Sequence, residues 1–247
     1  MKLISGMHRS GTSLVAQLFF EAGADMGNPS TFYPTDKWNS DGYFEQTDIL
    51  AINQPLINGF LGRFSYFWLP STHTVLKRAV RQVEQIRQVD KKYDGKVVKN
   101  PHFCLTLPAW LQSGANIEKL LFCLREPDQV AKSIQKRNKT TLKRAYFLWT
   151  VHNQRLLEQA KDIPTWFIYY NNLLDKSKTM TELMPAFRFF DMKISEEKMQ
   201  SLIAKVVKSE LNHSPTNIQA DYPHSVSKLW HDLLERHDRQ FENAQAN

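Results

Sequence analysis

Residues 2–21, Lys2-Leu-Ile-Ser-Gly-Met-His-Arg-Ser-Gly-Thr-Ser-Leu-Val-Ala-Gln-Leu-Phe-Phe-Glu21, carry the signal that decides the fold class. An apolar run ends at Gly6, and a helical pattern of Leu14, Val15, Leu18 and Phe19 begins beyond Gly11. This reads as strand, tight loop, helix. Backbone N–H groups at such a helix start converge on an anion, and the glycines let the backbone approach it closely. The spacing, Gly6-x4-Gly11-Thr12-Ser13, nearly matches the phosphate-loop pattern G-x4-G-K-[ST]. Thr12 stands where that pattern has lysine, and the positive charge sits earlier, at Arg9. Triphosphate chemistry places the lysine on the β- and γ-phosphates and the next hydroxyl on Mg²⁺. A cation inside the loop suits one tightly held terminal anion instead.

Working outward, further buried strands are predicted at 96–99, 119–124 and 165–170, after a first at 2–6. Helical patterns cover 12–23, 47–60, 74–91, 127–137, 140–161, 179–190, 195–207 and 225–243. The alternation predicts an α/β fold: a single domain over 1–247 with a P-loop-like central parallel sheet flanked by helices. Right-handed crossovers then line up the strand C-termini along one edge, where ligands bind. Residues 24–73, rich in Pro, Asn, Asp, Gly and aromatics, read as a functional insertion. Residues 176–247 read as a helical C-terminal region with no legible motif.

A second anion motif follows the strand at 119–124. Arg125-Glu126-Pro127 opens a helix that carries Ser133, with Pro127 suited to the first helical turn. A guanidinium at the strand end and a hydroxyl eight residues on can meet one phosphate. Arg137 shares the helix face of Ser133 at i+4.

Composition narrows the partners without choosing among them. Of 247 residues, 42% are hydrophobic and 23% charged, enough for an ordinary core. A net charge of +7 favours anions such as nucleotides, sulfate or phosphate groups, and acidic polysaccharide. The basic run 132–144 lacks any nucleic-acid-binding signature, so no nucleic-acid partner is expected. Cys104 and Cys123 sit in apolar surroundings without zinc-ligand spacing, and read as buried reduced thiols. No apolar run reaches the roughly 18 residues of a membrane span. The first residues turn polar too soon for a signal peptide, which points to a cytoplasmic protein.

The loop His8-Arg9-Ser10-Gly11-Thr12-Ser13 resembles the sulfotransferase loop [GP]-x-[KR]-S-G-[TS]-[TS], and Arg125 to Ser133 resembles that family's R-x-P-x5-S motif. The resemblance spans roughly residues 2–175. The order GMHRSGTS, GYFE, KNPH, LREP is closer to the bacterial-type carbohydrate or small-molecule branch. The R-K-G-x-x-G element of the cytosolic aryl and steroid branch is absent. The resemblance implies transfer of a sulfuryl group from the co-substrate 3′-phosphoadenosine 5′-phosphosulfate (PAPS) to a hydroxyl or amine, without a metal. The product is adenosine 3′,5′-bisphosphate. It implies that residues 8–13 hold the 5′-phosphosulfate, that Arg9 is the catalytic cation at the bridging oxygen, and that Arg125, Ser133 and Arg137 hold the 3′-phosphate.

For the general base, Glu45 of Asp41-Gly-Tyr-Phe-Glu45 is favoured and His102 competes with it. Lys99 reads as a second cation. Asn100 and His102 depart from the K-D-P-R seen in related enzymes. The 24–73 insertion would line an acceptor site through Phe32, Tyr33, Trp38, Tyr43, Phe60, Phe64, Tyr66, Phe67 and Trp68, with more of these rings core than pocket. The expected acceptor is a carbohydrate first, then a lipid or secondary-metabolite hydroxyl. Ile168-Tyr-Tyr-Asn-Asn-Leu-Leu174 resembles a Y-E-D-L-L strand end with asparagines in place of the acids, and is assigned to structure. Trp149, Trp166 and Trp230 are expected in the core. The competing reading is a P-loop nucleotide or small-molecule kinase, which needs the missing lysine and acidic Mg²⁺ ligands.

Overall fold

Continuous apolar runs with no polar face are what a strand buried on both sides requires, and four of them pair here. β1 (Lys2–Ser5), β2 (Val97–Lys99), β3 (Lys119–Leu124) and β4 (Thr165–Tyr169) form a parallel sheet in the order β2-β1-β3-β4. The structure is a computed structural model describing residues 1–37, 39–59, 69–207 and 222–245. Side chains alternate across the sheet. Leu3, Val98, Leu120, Phe122 and Phe167 enter one core with Trp110, Trp149 and Trp230. Ile4, Val97, Leu121, Cys123 and Ile168 enter the other, with Phe19, Leu183 and Phe187. Trp166 packs in this second core, so all three tryptophans expected inside are buried.

The helices are α1 (Thr12–Glu21), α2 (Thr47–Asn58), α3 (Thr72–Ala79), α4 (Val83–Lys92), α5 (Phe103–Gln112), α6 (Pro127–Asn138), α7 (Leu142–Gln159), α8 (Tyr170–Leu174), α9 (Thr179–Phe189), α10 (Glu196–Val206) and α11 (His224–Gln245). Ser71, Thr141 and Ser195 cap α3, α7 and α10 by accepting a backbone N–H three residues on. The helix expected at 74–91 is interrupted by a 3-10 turn at Val80–Gln82, and nothing in its sequence marks the break. No element was expected between 100 and 118, yet α5 lies there. Its run Phe103-Cys-Leu-Thr-Leu-Pro-Ala-Trp110 is buried nearly all round, so it shows no amphipathic period, and Pro108 sits inside it. No helix among the described residues is long and apolar enough to cross a membrane.

Both outer strands have their open edges met by a glutamine side chain. Gln46 Nε2 donates to Val97 O (3.3 Å) and its Oε1 accepts from Lys99 N (3.3 Å) on β2. Gln240 of α11 accepts from Phe167 N and donates to Phe167 O on β4, each at 2.7 Å. All four strands point the same way, so their C-terminal ends deliver Gly6 and its loop, Lys99, Arg125 and Tyr170 to one edge.

Candidate active site

The loop after β1 is built on unusual backbone. Gly6 has φ 151°, and a Cβ there would lie 2.5 Å from Cys123 O; Gly11 has φ 84°, and a Cβ there would lie 2.1 Å from the Tyr170 ring. Arg9 also takes positive φ, 72°, which costs a non-glycine residue on the order of 1 kcal/mol or more. Gly11 is the N-cap of α1, with no side chain capping the first turn and no acid in it. The first N–H groups of α1 therefore face the site without a side-chain acceptor, as an anion-binding helix start requires. The Ser10 hydroxyl is buried with no hydrogen-bond partner among the described residues. A buried hydroxyl in that state fits a ligand oxygen.

The two anion motifs meet. Arg9 Nε donates to Ser133 Oγ at 2.8 Å, and Arg125 Nη1 donates to the Arg9 carbonyl at 3.0 Å. The Arg125 guanidinium stacks 4.2 Å from the Tyr170 ring centre and donates from Nε to Gln129 Oε1 at 2.9 Å. A cavity of about 180 Å³ lies in front of them. Its walls include His8, Arg9, Gly11, Thr12, Ser13, Lys99, Arg125, Arg137 and Tyr170, together with Asn39, Asp41, Gly42, Tyr43 and Glu45 from the 24–73 insertion. Ser10, Ser133 and His102 do not border it.

Within this lining Lys99 Nζ and Glu45 Oε1 form a buried ion pair at 2.6 Å, and Lys99 also reaches Ser13 Oγ at 3.3 Å. The carboxylate partners of Glu45 are Lys99 and Asn100. Asn100 Nδ2 donates to Glu45 Oε2 at 3.2 Å, while its Oδ1 accepts from Asn53 Nδ2 (3.1 Å) and from His102 N (3.0 Å). His102 Nδ1 lies 3.0 Å from the same Oδ1, so it must be the protonated nitrogen. Asn53 is held in turn by Trp110 Nε1 at 2.8 Å. Phe44, just before Glu45, has φ 55°, a second non-glycine residue with left-handed backbone beside the cavity.

Three imidazoles cluster at the loop: His8 lies edge-on to His102 (5.0 Å) and to His152 (6.3 Å). Burial pushes all three below the usual histidine range, His152 to about 4. Across the mouth, Tyr43 donates to Asp36 at 2.7 Å and is hydrogen-bonded by Arg137 of α6. Burial, then Asp36, pushes the Tyr43 phenol up to about 12. Both cysteines are buried and unpaired, and burial raises the Cys104 thiol to about 12.

The structure thus brings together His8, Arg9, Gly11, Thr12, Ser13, Glu45, Lys99, Arg125 and Arg137 around one cavity; Ser10, Ser133 and His102 do not border it, though Ser133 touches Arg9 and His102 touches His8. Of the aromatic residues expected there, Tyr43 borders the cavity. Phe32 packs against Phe20 and Phe44, and Tyr33 is 42% exposed. Trp38, Phe60, Phe64, Tyr66, Phe67 and Trp68 lie outside the described residues. Tyr170, assigned to structure alone on its sequence, borders the cavity. Its place at the end of a predicted strand on the ligand edge was the signal available for it.

Taken together, the four-stranded parallel sheet, its flanking helices and the glycine-bounded loop after β1 define an α/β class of protein. Solved structures narrow the class. The chain superposes on the "Sulfotransferase Domain from the Curacin Biosynthetic Pathway" with a TM-score of 0.54 at 16% identity, covering 95% of this chain and 97% of that one. It superposes on the "Sulfotransferase Domain from the Synechococcus PCC 7002 Olefin Synthase" with a TM-score of 0.53 at 13% identity, covering 95% and 94%. No family model matches the chain, and no curated protein matches its sequence. The fold is therefore that of sulfotransferase domains.

Proposed function

We propose that the protein is a PAPS-dependent sulfotransferase acting on a small-molecule hydroxyl or amine, a carbohydrate first among the candidates. The observation that carries this reading is the contact between the two anion motifs: Arg9 on Ser133, and Arg125 on the Arg9 carbonyl. One nucleotide with a phosphosulfate at one end of its ribose and a phosphate at the other needs both groups around a common space. The cavity, at about 180 Å³, is below the roughly 300–1,000 Å³ of sites that enclose a whole ligand. It suits the charged ends, with the adenine beyond it.

In this reading the first turn of α1, the Thr12 hydroxyl and Arg9 bind the phosphosulfate, while Arg125 and Arg137 bind the 3′-phosphate; Ser10 and Ser133 do not border the cavity, and Ser133 holds Arg9 by accepting from its Nε. Glu45, which borders the cavity, takes the proton of the acceptor group; His102, which does not border it, holds Asn100 in place. The acceptor oxygen or nitrogen forms the new bond to sulfur as the bond from sulfur to the bridging oxygen breaks. The electron pair departs on adenosine 3′,5′-bisphosphate. Arg9 and Lys99 offset the charge growing on the bridging oxygen. Proton uptake cancels the charge of Glu45 and so loosens its hold on Lys99, placing that ammonium where charge appears. Positioning and electrostatics carry the step, as in phosphoryl transfer.

The test is ligand-induced stabilisation. Adenosine 3′,5′-bisphosphate should raise the melting temperature and ATP with Mg²⁺ should not, because a ligand that binds the folded state alone stabilises it. Stabilisation by ATP·Mg²⁺ alone would favour the kinase reading and overturn this one.

A further inference from the structure

One buried ionic group lies outside the cavity and is unexplained by the transfer chemistry. Glu182 of α9 is 2% exposed and His237 of α11 is 4% exposed. His237 Nε2 faces both carboxylate oxygens, at 3.0 and 3.1 Å, and its Nδ1 faces Asp238 Oδ1 at 2.8 Å. Both ring nitrogens face carboxylates, so both donate, and the ring is an imidazolium. The Glu182 and Asp238 partners hold His237 above the usual histidine range against the opposing effect of burial. The groups packed on it are Glu182 from α9, Asp238 and Phe241 from its own helix, and the Tyr169 ring from β4. A buried pair of this kind is a poor source of net stability, because desolvation consumes most of its attraction. Its use is to hold a particular geometry.

Glu182 brackets two residues, Tyr170 and Asn171. Its Oε1 accepts from Tyr169 N at 2.6 Å and its Oε2 from Asn172 Nδ2 at 2.8 Å. Between these two anchors stands Tyr170, whose ring lies against Gly11 and under the Arg125 guanidinium. We propose that the Glu182–His237 pair is a positioning element of the donor cavity: it fixes the turn from β4 into α8, and through Tyr170 it sets the spacing between the anion loop and Arg125. This rests on the donor reading above. His237 supplies the charge that keeps Glu182 in place, so the hold is full below about pH 6.5. It is lost as pH rises through the elevated value in the folded protein.

The experiment combines two readouts on the full chain. The first is amide hydrogen exchange over residues 165–174, corrected for intrinsic rates, in wild type, His237→Ala and His237→Gln. The second is affinity for adenosine 3′,5′-bisphosphate between pH 7 and 9, where the ligand's phosphates are ionised. His237→Ala should lose protection at 169–173 and weaken the bisphosphate about tenfold, a 1.4 kcal/mol effect. His237→Gln, which keeps a neutral donor toward Glu182 but lacks the charge and cannot titrate, should recover only part of that affinity at pH 7. It should also stay flat to pH 9 while wild type weakens. Wild-type protection and affinity in a folded His237→Ala overturn the proposal, as does a wild-type pH dependence in His237→Gln. If His237→Ala does not fold, the Gln variant and Glu182→Gln decide by the same two measures. A wild-type protein that fails to bind the bisphosphate refutes the donor reading, and the exchange comparison then decides the positioning role by itself.

Discussion

Asn100 uses both ends of its amide, and that gives a physical reason for its departure from the K-D-P-R pattern noted in the sequence. The related motif has an acid at this position. Here the neighbouring Glu45 carboxylate lies 3.2 Å away and needs a donor, which an amide supplies and a carboxylate does not. Asn100→Asp should therefore set two buried carboxylates against each other. We expect a loss of about 1–3 kcal/mol in unfolding free energy, read by denaturant titration, and a drop in sulfuryl transfer. Glu45→Gln separates catalysis from binding. It should lower kcat by about 10²- to 10⁴-fold, the usual span for a lost general base, with bisphosphate affinity within a few-fold of wild type. His102→Gln keeps a donor toward Asn100 and should cost far less. A larger kcat loss in His102→Gln than in Glu45→Gln would reverse the two roles.

The element that matters most is α1, because its N-terminus opens without a side-chain cap. Gly11 is required there twice over, by its φ of 84° and by the Tyr170 ring 2.1 Å from where a Cβ would stand. Gly11→Ala should push Tyr170 off Arg125 and abolish bisphosphate-induced stabilisation; a normal thermal shift in that variant would contradict this packing. The loop itself was legible in sequence because strand, glycines and helix are contiguous. Arg125 and Ser133 were legible for the same reason, being eight residues apart on one strand–helix unit. Tyr170 was not, since its contacts to Gly11 and Arg125 join distant parts of the chain. The Glu45–Lys99–Asn100 cluster was half legible: each of Glu45 and Lys99 was picked out singly, but their pairing across 54 residues has no local signal. α5 escaped because a helix buried on all sides loses the periodicity that reveals helices.

Over the whole molecule, the buried imidazoles tie stability to pH. His152 titrates near 4 in the folded protein and near 6.5 when unfolded. The unfolded chain therefore takes up the proton first as pH falls. The stability is fully present above about 6.5 and is lost between there and about 4, on the order of 3 kcal/mol for this residue. His8 and His102 act in the same direction. His152→Gln should flatten the dependence of unfolding free energy on pH between 4 and 6.5, measured by denaturant titration; an unchanged slope would place the proton uptake elsewhere. At the sheet margins, Gln46 and Gln240 occupy main-chain groups that would otherwise offer a template to any extended peptide. A chain cut before α11 would bare Phe167 on β4 as such a template, so the last helix guards against self-association as much as it completes the fold.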